Sequence, residues 1–172
     1  HLTNLLLGVI HETCSDCSFV VSCGIPGGKT APTMSDDLLN YEWMDDETQF
    51  KVLKVSDAVV SRSGHGMIMK ALSFGKPLVL IPTPDHTEQY GNAKRAVELG
   101  AALMLRQNVL RENFRLALST VISSSELRTR AEEIRETALR LNPVATVADL
   151  IMKAAGDNST VGQSGVIRMS QS

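Results

Sequence analysis

Between Lys76 and Thr83 the chain reads Pro-Leu-Val-Leu-Ile-Pro, apolar at every position. A strand with one face in water alternates polar and apolar residues, so a short unbroken apolar run bounded by prolines reads as a strand buried on both faces. Such strands belong to parallel sheets covered by helices, and the rest of the chain follows that pattern. "CSFVVSC" (17–23), "LLNYEWM" (38–44), "DAVVSR" (57–62) and "AALMLR" (101–106) also read as strands. Helical periods lie between them: residues 2–13, "DDETQFKVLKVS" with acidic residues at its start, "GMIMKALSF" ending at Gly75, and "HTEQYGNAKRAVEL" ending at Gly100. Three more helical patterns follow, at 110–123, 125–141 and 144–155. The predicted fold is α/β, a Rossmann-like parallel sheet with helices on both faces. Ligands of such sheets bind beyond the carboxyl ends of the strands, so loops 24–37, 44–47, 62–66 and 83–89 are expected to line one crevice.

Composition narrows the partners. The chain has 172 residues, a net charge of −2 and 4% aromatic residues, which offers neither a basic surface nor a stacking platform for nucleic acid. No apolar stretch approaches the roughly 20 residues that cross a bilayer, and a cytoplasmic protein is expected. Residues 1–155 read as one domain, and 156–172, rich in Ser and Gly, as a polar mobile tail. The first residue is His1 rather than Met and a helical pattern starts at once, which suggests that an upstream part has been removed.

Two stretches invite sharper readings that the chain does not sustain. "GIPGGKT" (24–30) ends like a phosphate-wrapping P-loop, but Cys23 stands where the first Gly belongs and Pro32 interrupts the helix that should follow Lys29. It reads instead as a strand-to-strand loop. His11, Cys14, Cys17 and Cys23 supply four soft ligands, yet Cys23 closes an apolar strand and is read as a small core residue, so no metal is expected.

The chemistry concentrates in residues 56–103. After "DAVVSR" come Ser63, Gly64, His65 and Gly66, where a helix begins. Free N–H groups at a helix N-terminus, approached through glycines, form an anion site. Arg62 adds a positive charge beside it, unless Asp57 pairs with it; His65 either donates to a ligand oxygen or caps the helix. One strand and loop later, Asp85, His86, Glu88, Gln89 and Asn92 open the next helix. Carboxylates and carboxamides suit vicinal sugar hydroxyls, which both donate and accept, and equally suit the solvated first turn of a helix.

The succession of strand, "SRSG", helix, "GKPLVLIP", "EQYGNA" and "LGAAL" resembles the C-terminal, nucleotide-sugar-binding domain of GT-B glycosyltransferases of family 28. That family includes the bacterial UDP-N-acetylglucosamine transferase of peptidoglycan synthesis and archaeal relatives. The resemblance covers about residues 1–155 and is strongest over 56–103. It implies that the chain is one half of a GT-B fold, a metal-independent glycosyltransferase domain without a cofactor, whose donor is a UDP-sugar and whose acceptor is often lipid-linked, which would bring the protein to the membrane periphery. It places Trp43 and Met44 of "YEWMDD" at the base, Arg62, Ser63, Gly64, His65 and Gly66 at the diphosphate and sugar, Glu88 and Gln89 at the sugar hydroxyls, and Asn92 as the residue fixing that loop. Lys29 is a further candidate. The chain departs from the family at Lys70, where a Glu usually holds the ribose hydroxyls; a cation cannot accept those bonds, though it can face a phosphate or simply solvent. The family's domain also opens with a strand and glycine-rich turn that are missing here, together with an N-terminal domain that carries the acceptor site and general base. The fragment alone is therefore expected to be inactive until that domain, or a partner chain, completes the cleft. Two other readings share the fold: a non-catalytic partner or regulatory module, which Lys70 favours, and a sugar-nucleotide epimerase, against which this chain shows none of the acidic and basic residues expected near the glycine loop.

Overall fold

The computed structural model describes residues 2–13, 16–35, 37–141 and 143–157. They form two compact units, one ending at Arg135 and one beginning at Glu136. In chain order the elements are α1 (Leu2–Thr13), β1 (Phe19–Ser22), β2 (Thr33–Ser35), β3 (Leu38–Tyr41), α2 (Asp46–Val55), β4 (Val59–Ser61), α3 (His65–Ser73), β5 (Leu78–Leu80), α4 (Thr87–Glu98) and β6 (Ala102–Met104). A 3₁₀ turn (Gln107–Val109) then leads into α5 (Leu110–Ser123), α6 (Ser125–Leu141) and α7 (Pro143–Asp157).

The predicted alternation is present, with strands shorter than the apolar runs that announced them. β4, β5 and β6 are parallel neighbours in that order, with Val59, Leu78 and Ala102 in register. β1 and β3 are also parallel, Phe19 beside Leu38. One element departs from expectation: the loop predicted over 24–37 contains β2, which pairs antiparallel with β3. Its residues are fully exposed, so no apolar signal marked it. The strands thus form two three-stranded sets, β1-β3-β2 and β4-β5-β6, with no hydrogen-bonded pairing between them among the described residues.

The apolar run at 77–82 behaves as its composition requires. Leu78 and Leu80 pack with Ile68, Ala71 and Leu72 of α3, Ala93 and Ala96 of α4, and Ala131 of α6. Val79 and Ile81 point the other way, against Val9 and Ile10 of α1 and Leu110, Phe114, Leu118 and Val121 of α5. Alternate residues of one strand therefore feed two helical layers. Each such side chain contributes roughly 1.5–3 kcal/mol of transfer free energy. Phe19 and Val21 of β1 and Ala58 and Val60 near β4 lie against the second of these clusters, only partly buried.

The glycines predicted to stop helices do so by one mechanism. After α3 and after α4, Gly75 (φ 66°) and Gly100 (φ 73°) adopt left-handed backbone. Gly75 N–H donates to Leu72 O and Lys76 N–H to Ala71 O; Gly100 and Ala101 repeat the pattern on Val97 and Ala96. These are Schellman closures, in which a residue without Cβ turns the chain back on its last carbonyls. α5 and α6 are separated by Ser124, whose Oγ accepts from Leu127 N–H. In the second unit, α7 continues through Gly156 to Asp157, so the tail predicted from 156 begins inside a helix; the remainder of that segment lies outside the described residues, as does Cys14.

Candidate functional site

Two non-glycine residues of the described chain have left-handed backbone, Ser63 (φ 66°) and Asp85 (φ 61°). They occupy the loops at the carboxyl ends of β4 and β5, the two loops that carried the sequence signal. A left-handed conformation costs an ordinary L-residue on the order of 1–3 kcal/mol and persists where surrounding contacts enforce it. Around Ser63 those contacts are specific. Its N–H donates to Ser61 Oγ at 3.1 Å, and its carbonyl accepts from Asn92 Nδ2 at 3.3 Å. Its side chain is 0% exposed, and its Oγ is, among the described residues, the one buried side-chain polar atom without a partner.

The backbone turn at Ser63 delivers the chain into α3. Gly64, with extended backbone, is the N-cap and supplies no side-chain cap; His65 is the first helical residue and is exposed. The cap reading of His65 therefore does not hold. The approach to the first turn of α3 is open, since a Cβ built on Gly64 or Gly66 would meet nothing within 4 Å. Arg62 is exposed and, among the described residues, makes no ion pair with Asp57.

Asn92 joins this loop to the start of α4. The same Nδ2 that reaches Ser63 O lies 3.4 Å from Glu88 Oε1, so Ser63, Asn92 and Glu88 form one chain of contacts. Gln89 turns inward: its Oε1 accepts from Thr83 N–H at 2.8 Å, pinning the loop that follows β5 and leaving its amide nitrogen for other use. Gln107 supports that loop from behind, with Nε2 donating to Pro82 O at 3.3 Å. Thr83 and Gln107 carried no sequence signal, because a backbone N–H and a carboxamide after a strand are unremarkable until folding places them together. Asp85 and His86 precede α4, which starts at Thr87.

The segment after β3 is built differently. Trp43 is 41% exposed, and its N–H donates to Lys29 O at 3.2 Å. Lys29 N–H in turn donates to Glu42 Oε2 at 2.9 Å, and Ile25 N–H to Glu42 O. "GIPGGKT" is thus folded onto the Glu42–Trp43 backbone and wraps no helix N-terminus. Gly28 sits so close that an added Cβ would fall 2.8 Å from Glu42 Cβ. Met44 is half-buried. Asp45 caps α2, its Oδ1 accepting from Thr48 N–H at 2.7 Å, and that hydrogen bond holds its carboxyl below the ordinary value of 3.8. Lys51 is held above its ordinary value by its hydrogen bond to Glu47.

Lys70 is partly exposed and turns toward α2. Its ammonium is bound to Asp46 and Gln49 of α2. Among the described residues no group of His, Cys, Asp or Glu gathers as a metal site; Cys23 Sγ lies 3.2 Å from Asn40 Oδ1. No described helix is long and apolar enough to cross a membrane.

Residues 19–151 match the model of the glycosyltransferase family 28 C-terminal domain. An uncharacterized glycosyltransferase of Methanosarcina acetivorans is 32% identical over 114 residues, covering 66% of this chain and 30% of that protein. The UDP-N-acetylglucosamine–N-acetylmuramyl-(pentapeptide) pyrophosphoryl-undecaprenol N-acetylglucosamine transferase of Exiguobacterium sibiricum is 41% identical over 61 residues, covering 34% of this chain and 17% of that protein. Among solved structures, the calicheamicin glycosyltransferase CalG4 superposes with a TM-score of 0.64 at 26% identity, over 72% of this chain and 30% of that one. The glycotransferase of kitacinnamycin superposes with a TM-score of 0.70 at 22% identity, over 87% and 38%, and shares the fold. The chain spans 30% or less of the length of the curated relatives named here.

Proposed function

The chain belongs to glycosyltransferase family 28 as a C-terminal domain of that family, and from that premise we propose that it is the donor half of an enzyme moving a sugar, N-acetylglucosamine or a relative, from UDP to an acceptor. The observation that carries the reading is Asn92, whose single carboxamide nitrogen reaches both Ser63 O and Glu88 Oε1 and so makes one crevice of two separate loops. In that crevice the N–H groups at the start of α3 receive the diphosphate, with Arg62 and His65 beside it and the buried Ser63 hydroxyl available as a further partner. Glu88 and the free amide nitrogen of Gln89 meet the hydroxyls of the transferred sugar. Trp43 and the Met44 backbone border the base, with Lys29 on the same rim.

The chemistry this half supplies is stabilisation of a leaving group. As the glycosidic bond to UDP breaks, negative charge grows on the diphosphate. Fixed N–H dipoles and a guanidinium stabilise that charge without reorganising, which is the role a metal fills elsewhere. The acceptor site and the base that activates the acceptor hydroxyl belong, on this reading, to a domain or partner outside this chain. A lipid-linked acceptor, as in the name of the Exiguobacterium relative, would hold the protein at a membrane surface. The same reading treats the unpaired edges of β1 and β4 as the flanks of one further parallel strand, supplied by sequence outside this chain; the shared packing of Phe19, Val21, Ala58 and Val60 on one core supports it.

Calorimetric titration of the full-length protein against UDP, UDP-N-acetylglucosamine, UDP-glucose and ADP tests the proposal. Uridine-selective binding, with the preference among sugars blunted in Gln89→Ala, is the expected result. Equal binding of ADP and UDP, or of neither, would leave a scaffold of the same fold as the better description.

A further inference from the structure

Lys70 carries three N–H donors and no acceptor. Its Nζ lies 2.6 Å from Asp46 Oδ1 and 2.7 Å from Gln49 Oε1, and 5.5 Å from the centre of the Phe50 ring, within cation–π range. Phe50 in turn stacks on Phe74, at the end of α3, with centroids 5.9 Å apart. The ammonium is therefore committed to α2, and the aromatic pair holds the same two helices together one turn further on.

What the lysine leaves uncommitted is informative. Asp46 keeps its second carboxylate oxygen, with the side chain 77% exposed, and Gln49 keeps its amide nitrogen. An acceptor beside a donor matches a pair of adjacent hydroxyls, each of which gives and takes a hydrogen bond. The ammonium also offsets the charge of Asp46, so the acceptor can stand near a diphosphate without strong repulsion. The pair itself is too exposed to matter much for stability.

Position along the chain supplies the rest. Asp46 lies two residues after Met44, at the first turn of α2, and Lys70 lies one helical turn after Gly66. Resting on the reading above, in which 43–44 border the base and 63–66 the diphosphate, the ribose that joins them passes over this cluster. We propose that Lys70 is a positioning residue that presents Asp46 and Gln49 as the receptor for the ribose 2′- and 3′-hydroxyls of the donor nucleotide. The acceptor that a lysine cannot provide is moved across to α2 and held there by it.

The test is calorimetric titration of the full-length protein with UDP and 2′-deoxy-UDP, in the wild type and in Asp46→Ala, Lys70→Met and Lys70→Arg. The wild type is expected to bind UDP about tenfold more tightly than 2′-deoxy-UDP, the loss of one charged hydrogen bond. That ratio falls close to one in Asp46→Ala and Lys70→Met and returns in part in Lys70→Arg, while affinity for 2′-deoxy-UDP stays within about twofold. A damaged fold would weaken both nucleotides together. A wild-type ratio near one, or a ratio unmoved by Asp46→Ala, overturns the inference and leaves the donor reading intact. Absence of binding by either nucleotide to folded wild-type protein overturns both.

Discussion

The two three-stranded sets are made of similar residues and behave differently. In β5 every residue is fully buried, between α3, α4 and α6 on one face and α1 and α5 on the other. In β3 every residue is half-buried, and the partner β2 lies in solvent. Burial beside this core, with the hydrogen bonds to Ser61 and Asn92, is what enforces the left-handed Ser63 at the end of β4, because strain persists only where contacts over-determine it. The β3 side has no such support, and its loop is held by backbone hydrogen bonds among Lys29, Glu42 and Trp43. On the proposed reading, one half of the crevice rests on a packed core as well as on hydrogen bonds, and the other on local hydrogen bonding alone.

The largest test of this contrast is a matched pair of truncations. Leu80→Ala is expected to cost about 2–5 kcal/mol, and Leu39→Ala about half of that or less, because a half-buried leucine loses less transfer energy and leaves less cavity. Denaturant unfolding reads both; equal losses would erase the distinction. Ser63→Gly probes the strain directly. Glycine accepts φ 66° without penalty, so the variant should gain about 1 kcal/mol in stability while losing about tenfold in nucleotide affinity, a loss of the size of one hydrogen bond to a charged group. Asn92→Ala, which frees the Ser63 loop from α4, should cost about 1 kcal/mol and weaken UDP-N-acetylglucosamine more than UDP. The smallest effect belongs to the β3 side. Asp45 titrates below its ordinary 3.8 because of its bond to Thr48 N–H, so its contribution is complete above that value and is lost as pH falls through the lower folded one. Asp45→Asn keeps a cap and removes that dependence. The melting-temperature difference between the two proteins should therefore change only in that acid window.

The contrast also explains what could be read in advance. Buried strands, and helices stopped by Gly75 and Gly100, announce themselves because apolar runs and left-handed glycines are local signals. The loop at 63–66 was legible through its glycines and the helix that follows. β2 was not, since its Thr33, Met34 and Ser35 carry no strand pattern and form a strand only because β3 offers an edge. Nor was the setting of Lys70, whose partners lie on another helix. Ser63 misled in the opposite way: serine gives no hint of positive φ, which here is imposed by Ser61, Asn92 and burial.

The shared carboxamide of Asn92 has a thermodynamic consequence. An amide nitrogen carries two N–H groups, so Asn92 serves Ser63 O and Glu88 Oε1 at once, and one side chain ties the two loops together. On the proposed reading a ligand that moves one loop pulls on the other through Asn92, any change it makes in affinity there is equal in both directions, and the two ends of one bound molecule are recognised through a link a single side chain wide.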